Sequence, residues 1–83
     1  MTPHQAIEQI DRAIDANRRS LMARLHINPA CSARVWQNAW DRCPDLRARE
    51  DELFRQRGDA QQQRDAADHK AWQIEQRRKR RAA

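Results

Sequence analysis

The chain has 83 residues, 17 of them basic and 12 acidic for a net charge of +5, and 39% hydrophobic. Fourteen of the hydrophobic residues are alanine and only eleven are Leu, Ile, Val or Phe, which excludes more than one thin core. No apolar run approaches the roughly 20 residues of a membrane span, and the start MTPHQAIEQID lacks the basic and apolar regions of a secretory leader. The expectation is a cytoplasmic protein with reduced cysteines and no membrane contact.

The basicity is local. Arg77, Arg78, Lys79, Arg80 and Arg81 form one run, and the remaining twelve basic residues balance the twelve acidic ones. The organisation expected is a single helical domain over residues 1–76 followed by a basic tail over 77–83.

One glycine and three prolines leave little turn chemistry, and the spacing reads as helix throughout. Thr2-Pro3-His4-Gln5 has the form of a capping box with proline at the first helical position. It predicts a first helix near residues 3–26, with Ile7, Ile10, Ile14, Leu21 and Leu25 on one stripe and Asn17 in the place of a missing apolar residue. A lone polar residue in such a stripe can fix register.

Asn28-Pro29 repeats the pattern of cap followed by proline and predicts a second helix near 29–43. Trp36, Ala39, Trp40 and Cys43 follow a helical stripe there, and Pro44 stops it. The third helix is expected near 45–80, because Leu46, Leu53, Ala60, Ala67 and Ile74 recur every seven residues without interruption. The flanking row of Glu50, Arg57, Arg64, Ala71 and Arg78 adds one small apolar residue, so the heptad seam is lean. Gly58-Asp59 is the one place where this helix could break, and the unbroken register across the glycine favours continuity or a kink. Glu8 with Arg12, Asp15 with Arg19, Asp45 with Arg49, Asp51 with Arg55 and Glu75 with Lys79 are spaced to pair along the helices.

The fold class expected is therefore all-α: a helical hairpin or three-helix arrangement with a long, coiled-coil-like C-terminal helix. The first two helices should fold back on the early part of the third and bury Ile7, Ile10, Ile14, Leu21, Leu25, Trp36, Trp40, Leu46, Leu53 and Phe54. Ala60, Ala67, Ala71 and Ile74 then need another partner. A homodimer is the economical way to supply one.

Chemistry is sparse. The hydroxyl side chains are Thr2, Ser20 and Ser32, and a single glycine cannot build a phosphate loop, so no catalytic residues and no enzyme are expected. Cys31 and Cys43 stand twelve residues apart, about 18 Å along one helix, too far for a shared metal or a disulfide; with His26 as the only further ligand nearby, no metal and no cofactor are expected. His4 and His69 have no evident partner. Cys43 reads as a small buried hydrophobe.

Two features are left without a structural duty. Trp72 lies off the heptad stripe, and the run Arg77 to Arg81 exceeds what a helix C-terminus needs. The function expected is a small non-enzymatic module that binds a larger protein or assembly through its helical faces, with Trp72, Ile74, Ala67 and Ala71 as the contact residues. Small helical adaptors, regulators and inhibitors of mobile-element origin are the analogy. The second expectation is a dimeric nucleic-acid-binding accessory protein that uses the tail for phosphate contacts.

Overall fold

The computed structural model describes residues 1–82 and is all-helical: α1 (Pro3–Leu25), α2 (Ala33–Arg42) and α3 (Pro44–Ala82). α1 begins as its sequence dictates. The Thr2 hydroxyl accepts from the Gln5 amide at 3.2 Å while the Gln5 side chain accepts from the Thr2 amide at 2.9 Å, closing the capping box ahead of Pro3. It ends at His26, which adopts a left-handed conformation with φ of 53°.

The start of α2 differs from expectation. Asn28 and Pro29 do not open a helix; they occupy the first two positions of a β-turn, closed by the Cys31 amide donating to the Asn28 carbonyl at 3.0 Å. The Asn28 side chain accepts from Ala30 two residues on, at 3.0 Å, an Asx-turn that reinforces the β-turn. The helix instead begins at Ala33, where the Ser32 hydroxyl accepts from the Val35 amide at 3.4 Å. α2 is thus ten residues long, and only Cys43 separates it from α3.

α3 runs unbroken through Gly58. The glycine has an ordinary helical φ, and a Cβ at that position would meet nothing within 4 Å. The 39-residue helix makes the molecule 62 Å long and 22 by 16 Å across, with a radius of gyration of 19.0 Å. A compact chain of this length would have about 12 Å.

α1 lies antiparallel along α3, and the buried residues of the two stripes form one seam: Ile7, Ile14, Asn17 and Leu21 against Leu46, Glu50, Leu53 and Ala60. Ala60 is therefore covered within the chain, 7% exposed, where a separate partner had been expected for it. α2 crosses the closed end of the hairpin. Leu21, Ala39, Cys43 and Leu46 make the tightest cluster, and Leu25, Ile27, Trp36 and Trp40 pack on it from outside. The tryptophans, expected to be core, are half-buried because α2 carries them at the margin of this cluster, packed on it from one side only; Ile10 and Leu25 are likewise intermediate. Phe54 is a plain correction, being 48% exposed. Its neighbour Leu53 occupies the seam, and successive helical residues point about 100° apart, so only one of the two can face α1.

Polar contacts tie the two long helices together at intervals. Asn17 donates to the Leu46 carbonyl at 3.0 Å, Arg18 Nε donates to Glu50 Oε2 at 3.0 Å, Arg24 pairs with Asp45 at 3.0 Å and Arg57 with Asp11 at 2.7 Å. Arg18 also lies over the Phe54 ring, 5.7 Å from its centre. Of the pairs expected along single helices, Asp15 with Arg19 and Glu75 with Lys79 form. Asp45 reaches across to Arg24 instead, and Arg55 takes Glu52 and Asp59.

Two carboxylates feel these contacts. Bonds from Arg55 and then Gln56 pull Glu52 down from 4.5 to about 2, and the Arg24 guanidinium lowers Asp45. A lowered carboxyl stabilises the fold above its ordinary value and loses that contribution as pH falls through the folded one. Helicity should accordingly stay flat from neutral pH down to about 5 and decline as Glu52 titrates between 4.5 and about 2. The decline should be small, since both groups are exposed. Circular dichroism against pH, with Glu52→Gln flattening the profile, checks this.

Continuity at Gly58 makes a second prediction. Gly58→Ala should raise stability by about 0.5 to 1 kcal/mol in urea denaturation, because alanine is the better helix former and meets no obstacle. A loss of stability would mean that the helix breaks there.

Candidate interaction surface

The hairpin arms are unequal. The outermost ion pair between them is His4 with Asp68, at 3.8 Å, where α1 has reached its capping box at Thr2. Residues 69–82 of α3 continue beyond it as a bare helix, about 20 Å long at 1.5 Å per residue. This segment holds most of the residues expected to contact a partner, together with the basic run.

The overhang has two faces. Ala71 and Ile74, with Ala67 just before the overhang, prolong the heptad seam that α1 covers as far as Ala60, and all three are exposed, Ile74 by 50%. Trp72, 56% exposed, stands about 140° round the helix from Ala67. A single flat partner therefore covers the alanine stripe without Trp72. On the tryptophan face, His69 stacks on Trp72 with ring centres 5.9 Å apart and planes 17° apart, and the Gln73 amide meets the His69 ring at 3.2 Å. Trp72, Gln73, Gln76, Arg77 and Arg80 line a shallow depression of about 240 Å³. Sequence reasoning had left His69 unpartnered; its i, i+3 spacing to Trp72 was the available signal.

Charge divides at the same point as structure. Residues 1–68 contain eleven basic and eleven acidic side chains, and residues 69–83 contain six basic and one acidic. In the hairpin most arginines have a carboxylate: Arg18, Arg19, Arg24, Arg47, Arg55, Arg57 and Arg64 all do. Among the described residues of the overhang only Lys79 is paired, with Glu75 at 3.8 Å.

Elsewhere the surface offers less. A groove of about 440 Å³ between α2 and α3 is lined by Trp36, Trp40, Asp41, Arg47, Glu50 and Asp51. Arg47 already engages Asp41 there, and Arg18 engages Glu50. Cys31 and Cys43 are free thiols, the second buried at 3% exposure. Among the described residues no three His, Cys, Asp or Glu side chains are placed to hold a metal ion, and no helix is long and apolar enough to cross a membrane.

Compared with protein-family models, curated proteins and solved structures, the chain matches none.

Proposed function

We propose that the chain is a non-enzymatic interaction module that binds a larger protein or assembly through the seam face of its distal third helix. The observation that carries this reading is the continuation of one heptad stripe from a covered to an uncovered state. Ala60 is shielded by α1, and Ala67, Ala71 and Ile74, in the same register, are open to solvent. A partner helix laid end to end with α1 would cover them by the geometry α1 already uses, with alanine permitting close approach and Ile74 supplying the main apolar contact. The α1–α3 hairpin, braced by α2, is the stalk that holds this segment out.

A second copy of the chain is the other occupant of such a stripe. Parallel pairing would set Lys70 of one copy near Glu75 of the other, which favours a homodimer, but it also aligns the two runs of cations from Arg77 to Arg81, which opposes it. A stripe of two alanines and one isoleucine offers little apolar area against that repulsion.

Ile74→Asp tests both. Proteins captured from the native host by the full chain should be lost with Ile74→Asp, by about tenfold or more in affinity, and kept with Gly58→Ala. Capture that is indifferent to Ile74 would remove the seam face from the proposal. Sedimentation at tens of micromolar decides between the occupants, since a dimer mass that Ile74→Asp abolishes would assign the stripe to self-association.

A further inference from the structure

We infer that the opposite face of the overhang, built from His69, Trp72, Gln76, Arg77 and Arg80, binds single-stranded nucleic acid. The inference concerns a face other than the one assigned to a protein partner and stands or falls separately from it.

The first support is where the charge lies. The hairpin is neutral, and the whole net charge of +5 belongs to the segment that has nothing packed on it. Arg77 stands i, i+3 from Arg80 and i, i+4 from Arg81, and Arg78 stands i, i+3 from Arg81, spacings at which like charges repel and each such pair destabilises a helix by about 0.2 to 0.5 kcal/mol. Complementing the helix dipole needs one or two cations in the last turn. The remainder is a concentration of positive charge that a polyanion would relieve, and arginine is suited to phosphate because its guanidinium donates in a planar fork.

The second support separates nucleic acid from other polyanions. Trp72 is half-exposed, and the His69 ring lies near-parallel to its indole, with ring centres 5.9 Å apart. Arg77 and Arg80 share a depression with it and stand about 8 and 12 Å further along the axis. A flat aromatic platform followed by cations tracking away from it is the arrangement that stacks an unpaired base and holds the phosphates that follow. A duplex keeps its base faces hidden and would leave Trp72 unused. An anionic membrane would want a broad apolar face, whereas Ile74, the other large apolar residue of the overhang, lies on the seam side. Nothing on this face distinguishes one base from another, so recognition should tolerate sequence.

The test is fluorescence anisotropy of the full chain with labelled oligo(dT) of about 20 nucleotides, a duplex of equal length, and polyglutamate as a competitor without bases. Single strands should bind at low salt, weaken steeply as salt rises and outcompete the duplex. Trp72→Ala should weaken single-strand binding by about five- to hundredfold and leave duplex binding unchanged, the size of one base stack. Arg77→Ala with Arg80→Ala should flatten the salt dependence by about 1.4 in the logarithmic slope. Ile74→Ser, which removes the apolar contact of the seam without setting a carboxylate beside Arg77 and Arg78, should change none of this, which keeps failure here distinct from failure of the seam face. No binding at low salt would overturn the inference. So would binding that treats single strand, duplex and polyglutamate alike and is insensitive to Trp72→Ala, since that is phosphate or carboxylate attraction alone. Circular dichroism of each variant confirms that the helix persists.

Discussion

The fold rests on the antiparallel register of α1 against α3, and that register is held by a polar layer inside the seam. Asn17 is 3% exposed and donates to the Leu46 carbonyl; Glu50 is 8% exposed and accepts from Arg18. Asn17 Oδ1 and Glu50 Oε1 are enclosed with no hydrogen-bond partner in the chain. Such a layer is poor as a source of stability, since an apolar pair in the same place would avoid desolvating a carboxylate and an amide. Its value is positional. Sliding α1 by one turn would strand both groups among isoleucines and leucines without the bonds they now make, and Asp11 with Arg57 and Arg24 with Asp45 would part at the same time. A seam of evenly spaced Ile, Leu and Ala has little else to tell one register from the next.

Once the register is fixed, the position of everything else follows from helix lengths. α1 has 23 residues and α3 has 39, and both are anchored at the closed end by the cluster of Leu21, Ala39, Cys43 and Leu46. The capping box at Thr2 ends α1 at a defined point, so the place where bare α3 begins is set by the first five residues of α1 and its cap. α2 is too short to lengthen the hairpin. It lays Trp36 and Trp40 across the corner where the chain turns, adding apolar area at the one place where three helices meet.

Much of this was legible in the sequence, and the failures have physical causes. The capping box, the break at Pro44 and the heptad through Gly58 are local signals whose outcome depends on few neighbours, and each appears in the structure as the residues dictate. Asn28-Pro29 misled because the same two residue types serve a helix cap and a β-turn; what decides between them is where Ser32 can place its hydroxyl, four residues on. Phe54 misled because composition alone assigned the largest apolar groups to the core, while the register gives the inward place to Leu53. The expected pairs Asp45 with Arg49 and Asp51 with Arg55 gave way to Arg24 and Glu52, since a tertiary or closer partner outweighs an i, i+4 contact of a few tenths of a kcal/mol. The unequal arms were not legible at all, because a stripe of sevens does not say how much of it a neighbouring helix will cover.

That inequality gives the distal segment its character. In the hairpin, arginines are matched to carboxylates across and along the helices, and apolar side chains are matched to each other, so the neutral body has few unmet demands. Beyond Asp68 the matching stops for both kinds of residue at once. The alanine and isoleucine stripe loses its cover on one side, and round the rest of the helix an indole and a series of guanidiniums face solvent with one carboxylate, Glu75, among them. A helix extended only for its own stability would carry paired charges and no exposed tryptophan, as its first half nearly does. The second half holds an apolar strip, an aromatic ring and unbalanced positive charge on a rod already paid for by the hairpin, and these are the kinds of group for which contact with a second surface is favourable.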